Sequence, residues 1–260
     1  LIFKQIMDIH IKYMKRCIEL ATRGIRNTYP NPMVGCIIVH NNKIIGEGYH
    51  EAYGSNHAEV NAINSVINQE LLSMSTLYVN LEPCNHFGKT PPCTKLIIEK
   101  GIKNVIIGSR DPNSLVKGGG INTLISSGCN VEHGIMKDKC DKLNKRFFTF
   151  HNQRRPYIIL KWAESKDGFI SPRKSDRNEQ KIFWISNEQS KKMSHYFRSQ
   201  EHSILVGVQT VIDDDPELTT RLVDGKNPIR IVLDPNNRIP NNSKVLSTES
   251  ETIIFSKTKN

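Results

Sequence analysis

Four residues in the first hundred have the types and spacing for metal-assisted proton chemistry: His57, Glu59, Cys84 and Cys93. Imidazole nitrogen and thiolate sulfur are zinc ligands, and three protein ligands leave the fourth tetrahedral position to water, as in catalytic zinc sites. One neutral His and two thiolates cancel the charge of Zn²⁺, so that water can lose a proton near neutral pH and act as a nucleophile. Glu59 lies two positions beyond His57, a spacing that would separate the two on a regular helix. In a helix's first turn, however, both side chains reach a site beyond the helix end, where a carboxylate can pass a proton from water to a leaving amine. A His-x-Glu tripeptide alone carries little information, and two Cys eight residues apart are commonly buried thiols; it is the combination that points to a metal. A closed structural zinc needs a fourth protein ligand, and His86 is the one near candidate.

The elements that must position these groups read as an α/β alternation. Residues 10–26 have helical apolar spacing (Ile11, Met14, Cys17, Ile18, Ala21). After the turn at Asn31-Pro32, residues 33–39 form a continuous apolar run that suits a buried strand, and 41–43 predict a turn into a return strand over 44–49. Helices are expected over 57–67, 94–100 (closed by Gly101), 119–127 and 135–148, with strands at 76–81 and 105–108. Helices packed on a central sheet follow from this order. Residues 149–156 read as a linker. Strands are then expected at 157–162, 203–206, 229–233 and 252–255, and a helix at 187–199. The division is 1–150 for the metal domain and 151–260 for a second α/β domain.

Composition sets further bounds. The chain has 260 residues, 37% hydrophobic and 24% charged, a globular balance. No run of eighteen apolar residues occurs, so a helical membrane span is not expected. Residues 1–6 are too short and too soon interrupted for a secretion signal, and Met7 or a fragment boundary is the expected start. Six cysteines without such a signal favour metal ligation or burial over disulfides, and a cytoplasmic protein. The net charge of +10 splits into +6 before residue 151 and +4 after it, with no basic tail. That distribution fits a phosphorylated small molecule better than a nucleic acid, which prefers a concentrated basic face.

His-x-Glu followed by Pro-Cys and a second Cys is the general signature of zinc deaminases. Those acting on polynucleotides place two residues between the cysteines. Here residues 85–92 intervene and bring His86, Lys89 and Thr90 beside the site, donors suited to a phosphate or polar heterocycle. More specifically, Asn31-Pro32-Met33-Val34-Gly35-Cys36, His57-Ala58-Glu59-Val60 and the whole segment from Leu81-Glu82-Pro83-Cys84 to Pro91-Pro92-Cys93 resemble the bifunctional deaminase-reductases of riboflavin biosynthesis. The resemblance continues through Asp111-Pro112-Asn113, Gly118-Gly119-Gly120, Leu143-Asn144-Lys145, Lys161 to Gly168, Trp184-Ile185-Ser186 and Gly207 to Thr219.

That resemblance implies a cytidine-deaminase-like three-layer α/β/α domain followed by a dihydrofolate-reductase-like α/β domain. It implies zinc on His57, Cys84 and Cys93, with Glu59 as proton shuttle. It implies deamination of a phosphoribosylated diaminopyrimidinone, with Asn31, His50, His86, Lys89 and Thr90 touching that substrate. For the reductase step it implies NADPH lined by Ala163, Trp184, Thr210 and Asp214, and substrate touched by Arg198, Leu218 and Arg221. Family members extend past the position of residue 260 into a Gly-rich segment expected to cradle cofactor phosphates, so only the N-terminal part of the reductase domain is expected here. A homo-oligomer is expected. A nucleoside or nucleic-acid base deaminase, which would bind RNA with steep salt dependence, and a zinc-stabilised binding module without catalysis are the competing readings.

Overall fold

The computed structural model describes residues 2–87, 91–113, 118–172 and 184–257, with side chains from residue 5 onward. The chain separates into two compact units, residues 1–158 and 159–260.

The first unit is built on a five-stranded sheet of order β2-β1-β3-β4-β5. Its strands are β1 (Gly35–His40), β2 (Lys43–Tyr49), β3 (Thr76–Leu81), β4 (Asn104–Ser109) and β5 (Asn130–His133). β1 runs antiparallel to both β2 and β3, whereas β3, β4 and β5 are mutually parallel. The expected β1–β2 hairpin forms, and Asn41 and Asn42 both take positive φ (48° and 60°), as a tight two-residue hairpin turn requires.

The continuous apolar runs in β1, β3 and β4 arise because both faces of the sheet are covered. Cys36, Ile38, Leu77, Val79, Val105 and Ile107 point to one side. There they meet α2 (Ala58–Asn64), α3 (Cys93–Glu99) and α4 (Gly119–Ser126) through Ala62, Ile63, Ile97, Ile121 and Leu124. The alternate residues Ile37, Val39, Tyr78 and Ile106 point to the other side, onto Tyr13, Met14, Cys17 and Leu20 of α1 (Ile2–Thr22) and Cys140 of α5 (Lys137–Leu143). The layers are α/β/α.

Several elements differ from the sequence reading. α1 starts eight residues earlier than expected, because its first turns expose Ile6, Met7 and Ile9 and so carry no core-facing stripe. The single helix expected over 135–148 is two, α5 and α6 (Lys145–Gln153), broken at Asn144 (φ −100°, ψ 25°). α6 also occupies most of the stretch expected as a linker. Asn144 breaks the helix because its side chain is engaged elsewhere: its Oδ1 accepts from Met33 N at 2.8 Å and its Nδ2 donates to Met33 O at 2.9 Å. A 3₁₀ helix over Gln69–Met74 was not expected.

The second unit holds a parallel sheet of order β6-β7-β8, from β6 (Ser203–Gly207), β7 (Ile229–Leu233) and β8 (Thr252–Phe255). α7 (Glu188–Gln200) is capped by Asn187, whose Oδ1 accepts from Ser190 N at 2.9 Å. α8 (Val208–Asp214) follows β6 directly. The core is small: Val208, Val211, Leu218, Val232 and Val245. Tyr157–Trp162, expected as a strand, has no regular secondary structure and lies outside any ladder among the described residues, with Ile158, Leu160 and Trp162 exposed. Strand propensity requires a hydrogen-bonding neighbour to become a strand, and none of the described residues supplies one.

Candidate functional site

His57, Cys84 and Cys93 arrive from three elements and meet at one point. His57 is the residue before α2, Cys84 follows β3 by way of Pro83, and Cys93 opens α3. The imidazole Nδ1 of His57 lies 3.2 Å from Cys93 Sγ and 3.5 Å from Cys84 Sγ. The three ligand atoms fall within 4.8 Å of one another. A tetrahedral zinc with bonds of about 2.0–2.3 Å sets its ligand atoms roughly 3.3–3.8 Å apart, close to the two nitrogen–sulfur spacings observed. Cys93 N also donates to Cys84 Sγ at 3.4 Å, and Thr94 N to Cys84 O at 3.1 Å, so the start of α3 braces the second ligand.

The charge states favour a metal. The hydrogen bond from Cys93, with help from His57, draws Cys84 down to about 4 against the effect of burial. Cys93 is held well above the usual thiol range by the same contact and by burial. The Cys84 contact, reinforced by the charge of Glu59, pushes His57 up to about 9 against burial. Two sulfurs and an imidazole thus share protons that a divalent cation would displace.

Glu59 sits in the first turn of α2 and is 3% exposed. Burial raises its carboxyl, Cys84 adds to the rise, and His57 opposes it. His50, buried at the end of β2, is lowered chiefly by burial. Its Nδ1 donates to Asn56 O at 3.0 Å, so its Nε2 is the acceptor for Asn31 Nδ2 at 3.1 Å. The His50 ring meets that of His57 edge-on at 5.6 Å. Asn31, His50, His57, Glu59, Cys84 and Cys93 therefore line one locus. His86 lies on the exposed part of the loop after Cys84, and Lys89 and Thr90 lie outside the described residues.

Sequence reasoning passed over four buried groups that build the locus. Asn80 accepts from Gly35 N at 2.7 Å and donates to Met33 O at 3.2 Å, and with Asn144 it fixes the segment that carries Asn31. Glu82 accepts from three backbone N–H groups, those of Asp111, Gly118 and Ile121. Asp111, 7% exposed, is raised to about 7, first by burial and then by Glu82 and Cys84. A polar residue amid an apolar strand was the available signal for Asn80. Glu82 and Asn144 carried none beyond their place in recognisable segments.

In the second unit, Arg198, Leu218 and Arg221 come together. Arg198 donates to Thr219 O at 3.1 Å. Arg221 donates to Thr219 Oγ1 at 2.8 Å and pairs with Glu217 at 2.8 Å. Leu218 is buried with φ 58°. His195 Nδ1 accepts from Arg221 N at 2.9 Å, and burial with the two guanidiniums lowers the ring to about 4. Arg198 Nε is buried without a hydrogen-bond partner, a donor that an anion would satisfy. Thr210 and Asp214 are exposed on one face of α8, four residues apart. Trp184 is exposed under Lys191 Nζ, 3.8 Å from the ring centroid, and Ala163 lies in chain without regular secondary structure. The described contacts do not bring those two residues to Thr210 and Asp214.

Comparison with known proteins divides the chain in the same way. Residues 7–109 match the cytidine and deoxycytidylate deaminase zinc-binding region, and residues 156–260 match the RibD C-terminal domain. The riboflavin biosynthesis protein RibD of Aquifex aeolicus is 44% identical over 257 residues, 98% of this chain and 70% of its own length. The RibD proteins of Actinobacillus pleuropneumoniae (45%) and Bacillus amyloliquefaciens (43%) are covered over 64% and 62% of their lengths, so the chain spans roughly two thirds of such relatives. The diaminohydroxyphosphoribosylamino-pyrimidine deaminase of Buchnera aphidicola (subsp. Schizaphis graminum) is 54% identical over 136 residues, 52% of this chain and 91% of that protein. The crystal structure of the deaminase/5-amino-6-(5-phosphoribosylamino)uracil reductase of Thermotoga maritima superposes with a TM-score of 0.88 at 39% identity, covering 97% of this chain and 71% of that one. The fold is accordingly a cytidine-deaminase-like unit followed by a dihydrofolate-reductase-like unit.

Proposed function

Because the chain belongs to the riboflavin biosynthesis protein RibD family, we propose that its first unit hydrolytically removes an amine from a phosphoribosylated diaminopyrimidinone, and that its second unit belongs to an NADPH-dependent reduction of the ribosyl side chain. The observation that carries the first activity is the convergence of His57 Nδ1, Cys84 Sγ and Cys93 Sγ beside a buried carboxyl.

His57, Cys84 and Cys93 hold zinc through those three atoms. Bound there, the ion supplies a Lewis acid that brings the acidity of water toward neutral pH. Glu59 accepts the proton given up by the attacking water and delivers it to the departing amine nitrogen, so that water and amine become carbonyl and ammonia. Burial raises its affinity for protons, the direction that suits a group which must hold the proton it takes before giving it up. His50 and Asn31, locked in one tautomer and one orientation by Asn56 O, present polar edges to the heterocycle. His86, Lys89 and Thr90 contact the substrate's phosphate and polar groups.

In the second unit, Arg198 and Arg221 bind the substrate phosphate, with Leu218 packing beside them; the unpartnered Arg198 Nε supports this assignment. Thr210, Asp214, Ala163 and Trp184 are assigned to NADPH. The boundary at 150/151 and an oligomer of identical chains belong to the same proposal, the latter supported by exposed Ile158, Leu160 and Trp162. Six free cysteines support a reducing, cytoplasmic setting. No helix among the described residues is long and apolar enough to cross a membrane.

The test is an assay of ammonia release and NADPH consumption by the purified chain with the phosphoribosyl pyrimidine, alongside its zinc content. Ammonia release with one zinc per chain is expected. Zinc-loaded protein that releases no ammonia from this substrate refutes the deaminase reading.

A further inference from the structure

We propose that Glu82 is a positioning residue for the metal centre: its carboxylate ties the amino end of α4 to the turn that carries Cys84, and so sets where that sulfur lies. The proposal rests on the zinc reading above.

Glu82 stands between the last residue of β3 and Pro83-Cys84. Its backbone N donates to Ser109 O at 2.9 Å, which extends the β3–β4 ladder one residue beyond Leu81. Its side chain is 4% exposed. The carboxylate spans two chain segments distant in sequence. Oε2 accepts from Asp111 N and Gly118 N, and Oε1 accepts from Ile121 N, each at 3.1 Å. Three donors on one buried carboxylate are far more than local structure requires of a residue at a strand end. A buried acceptor of this kind is strongly held, because each bond that is lost leaves a desolvated group.

The bonded segment is in direct contact with the ligand turn. A Cβ added at Gly120 would lie 2.0 Å from Pro83 O, and one at Gly119 would lie 2.5 Å from Asn85 Nδ2. The first turn of α4 therefore abuts the residues on either side of Cys84, Gly120 against the Pro83 carbonyl and Gly119 against the Asn85 side-chain amide. On its other flank Cys84 is held by Cys93 N and Thr94 N from α3. Cys84 thus sits in a vice: α3 forms one jaw by direct hydrogen bonds, and α4 forms the other, held shut by Glu82. Loss of the Glu82 bonds would free the α4 jaw while leaving all three ligands and Glu59 in the chain. Groups that orient metal ligands at one remove typically alter affinity by about 10–100-fold when changed.

The experiment replaces zinc with cobalt(II), whose absorption bands report ligand geometry. Three full-length variants are compared with the unmodified protein: Glu82→Gln, Glu82→Asp and Gly120→Ala. Glu82→Gln presents an amide N–H to a backbone donor. Gly120→Ala opens the same contact from the other side, its Cβ meeting Pro83 O and Glu82 Cγ while the carboxylate itself stays in the chain. Cobalt affinity is expected to fall about 10–100-fold in Glu82→Gln and Gly120→Ala, with shifted thiolate-to-cobalt and d–d bands. Glu82→Asp, which keeps the charge on a shorter arm, should recover part of the loss. Bands and affinity equal to those of the unmodified protein, whatever the change in melting temperature, overturn the proposal and leave Glu82 a purely structural residue. Should Glu82→Gln not fold, Glu82→Asp decides by the same readout. Unmodified protein that binds no cobalt at this site refutes the zinc reading itself, a different failure from variants that bind it unchanged.

Discussion

The two units use parallel β-structure very differently. In residues 1–158 every central strand is covered on both sides, and the site sits where three elements end against that rigid sheet. In residues 159–260 the three strands leave Leu205, Leu233, Ile253, Ile254 and Phe255 exposed around a core of four valines and Leu218. There the organising group is instead a cation. Arg230, fully buried in β7, donates to the carbonyls of Glu217, Lys244, Ser247 and Ser250, so that loops are tied to the sheet by hydrogen bonds more than by packing. Apolar coverage fixes a site by volume, whereas a buried guanidinium fixes it by direction. The first tolerates polar change at its rim, and the second does not tolerate loss of its hub.

The sharpest separation of the units comes from Glu59→Gln. It should lower ammonia release by about 10²–10⁴-fold while zinc content and the melting of both units stay unchanged; retained ammonia release would remove Glu59 from its role. Next in size are the cores. Ile107→Ala, in the doubly covered sheet, should cost about 2–5 kcal/mol, and Val232→Ala in the smaller core roughly 1.5–2.5 kcal/mol. Denaturation followed by far-ultraviolet dichroism should show the first in one transition and the second in the other. Equal effects, or one shared transition, would dissolve the contrast. Asn144→Ala should cost about 1–3 kcal/mol by leaving Met33 groups unpaired. It should also raise the deaminase KM more than it lowers kcat, because the segment it holds carries Asn31.

The smallest effect is one of pH. His195 is lowered to about 4 from an unfolded value near 6.5, so its contribution to stability is full above about 6.5 and is lost as pH falls toward 4. Both tryptophans, Trp162 and Trp184, belong to the second unit. Tryptophan-monitored denaturation should therefore show that loss, and His195→Gln should flatten it.

Much of the first unit was legible in the sequence, because its signals are local. The apolar run at 33–39, the turn residues Asn41 and Asn42 and the ligand set with Glu59 each declare themselves within a few positions. What escaped depends on partners remote in sequence. The break at Asn144 reflects a bond to Met33, and the role of Glu82 lies in bonds to residues 29, 36 and 39 positions away. In the second unit, Tyr157–Trp162 has the side chains of a strand, but pairing is a property of the neighbour and cannot be read from the segment alone. Nothing local marks Arg230 within the strand expected over 229–233, yet it is the most deeply buried large side chain there.

The Asn144–Met33 pairing joins positions 111 residues apart. A ribosome adding about 5–20 residues each second therefore needs several seconds between making the two partners. During that interval the sheet and the metal ligands have all emerged, yet the strap beside the heterocycle's place still lacks its clasp. A nascent chain should accordingly acquire its metal before it acquires its full grip on substrate, and stalling translation on either side of residue 144's exit would separate the two events.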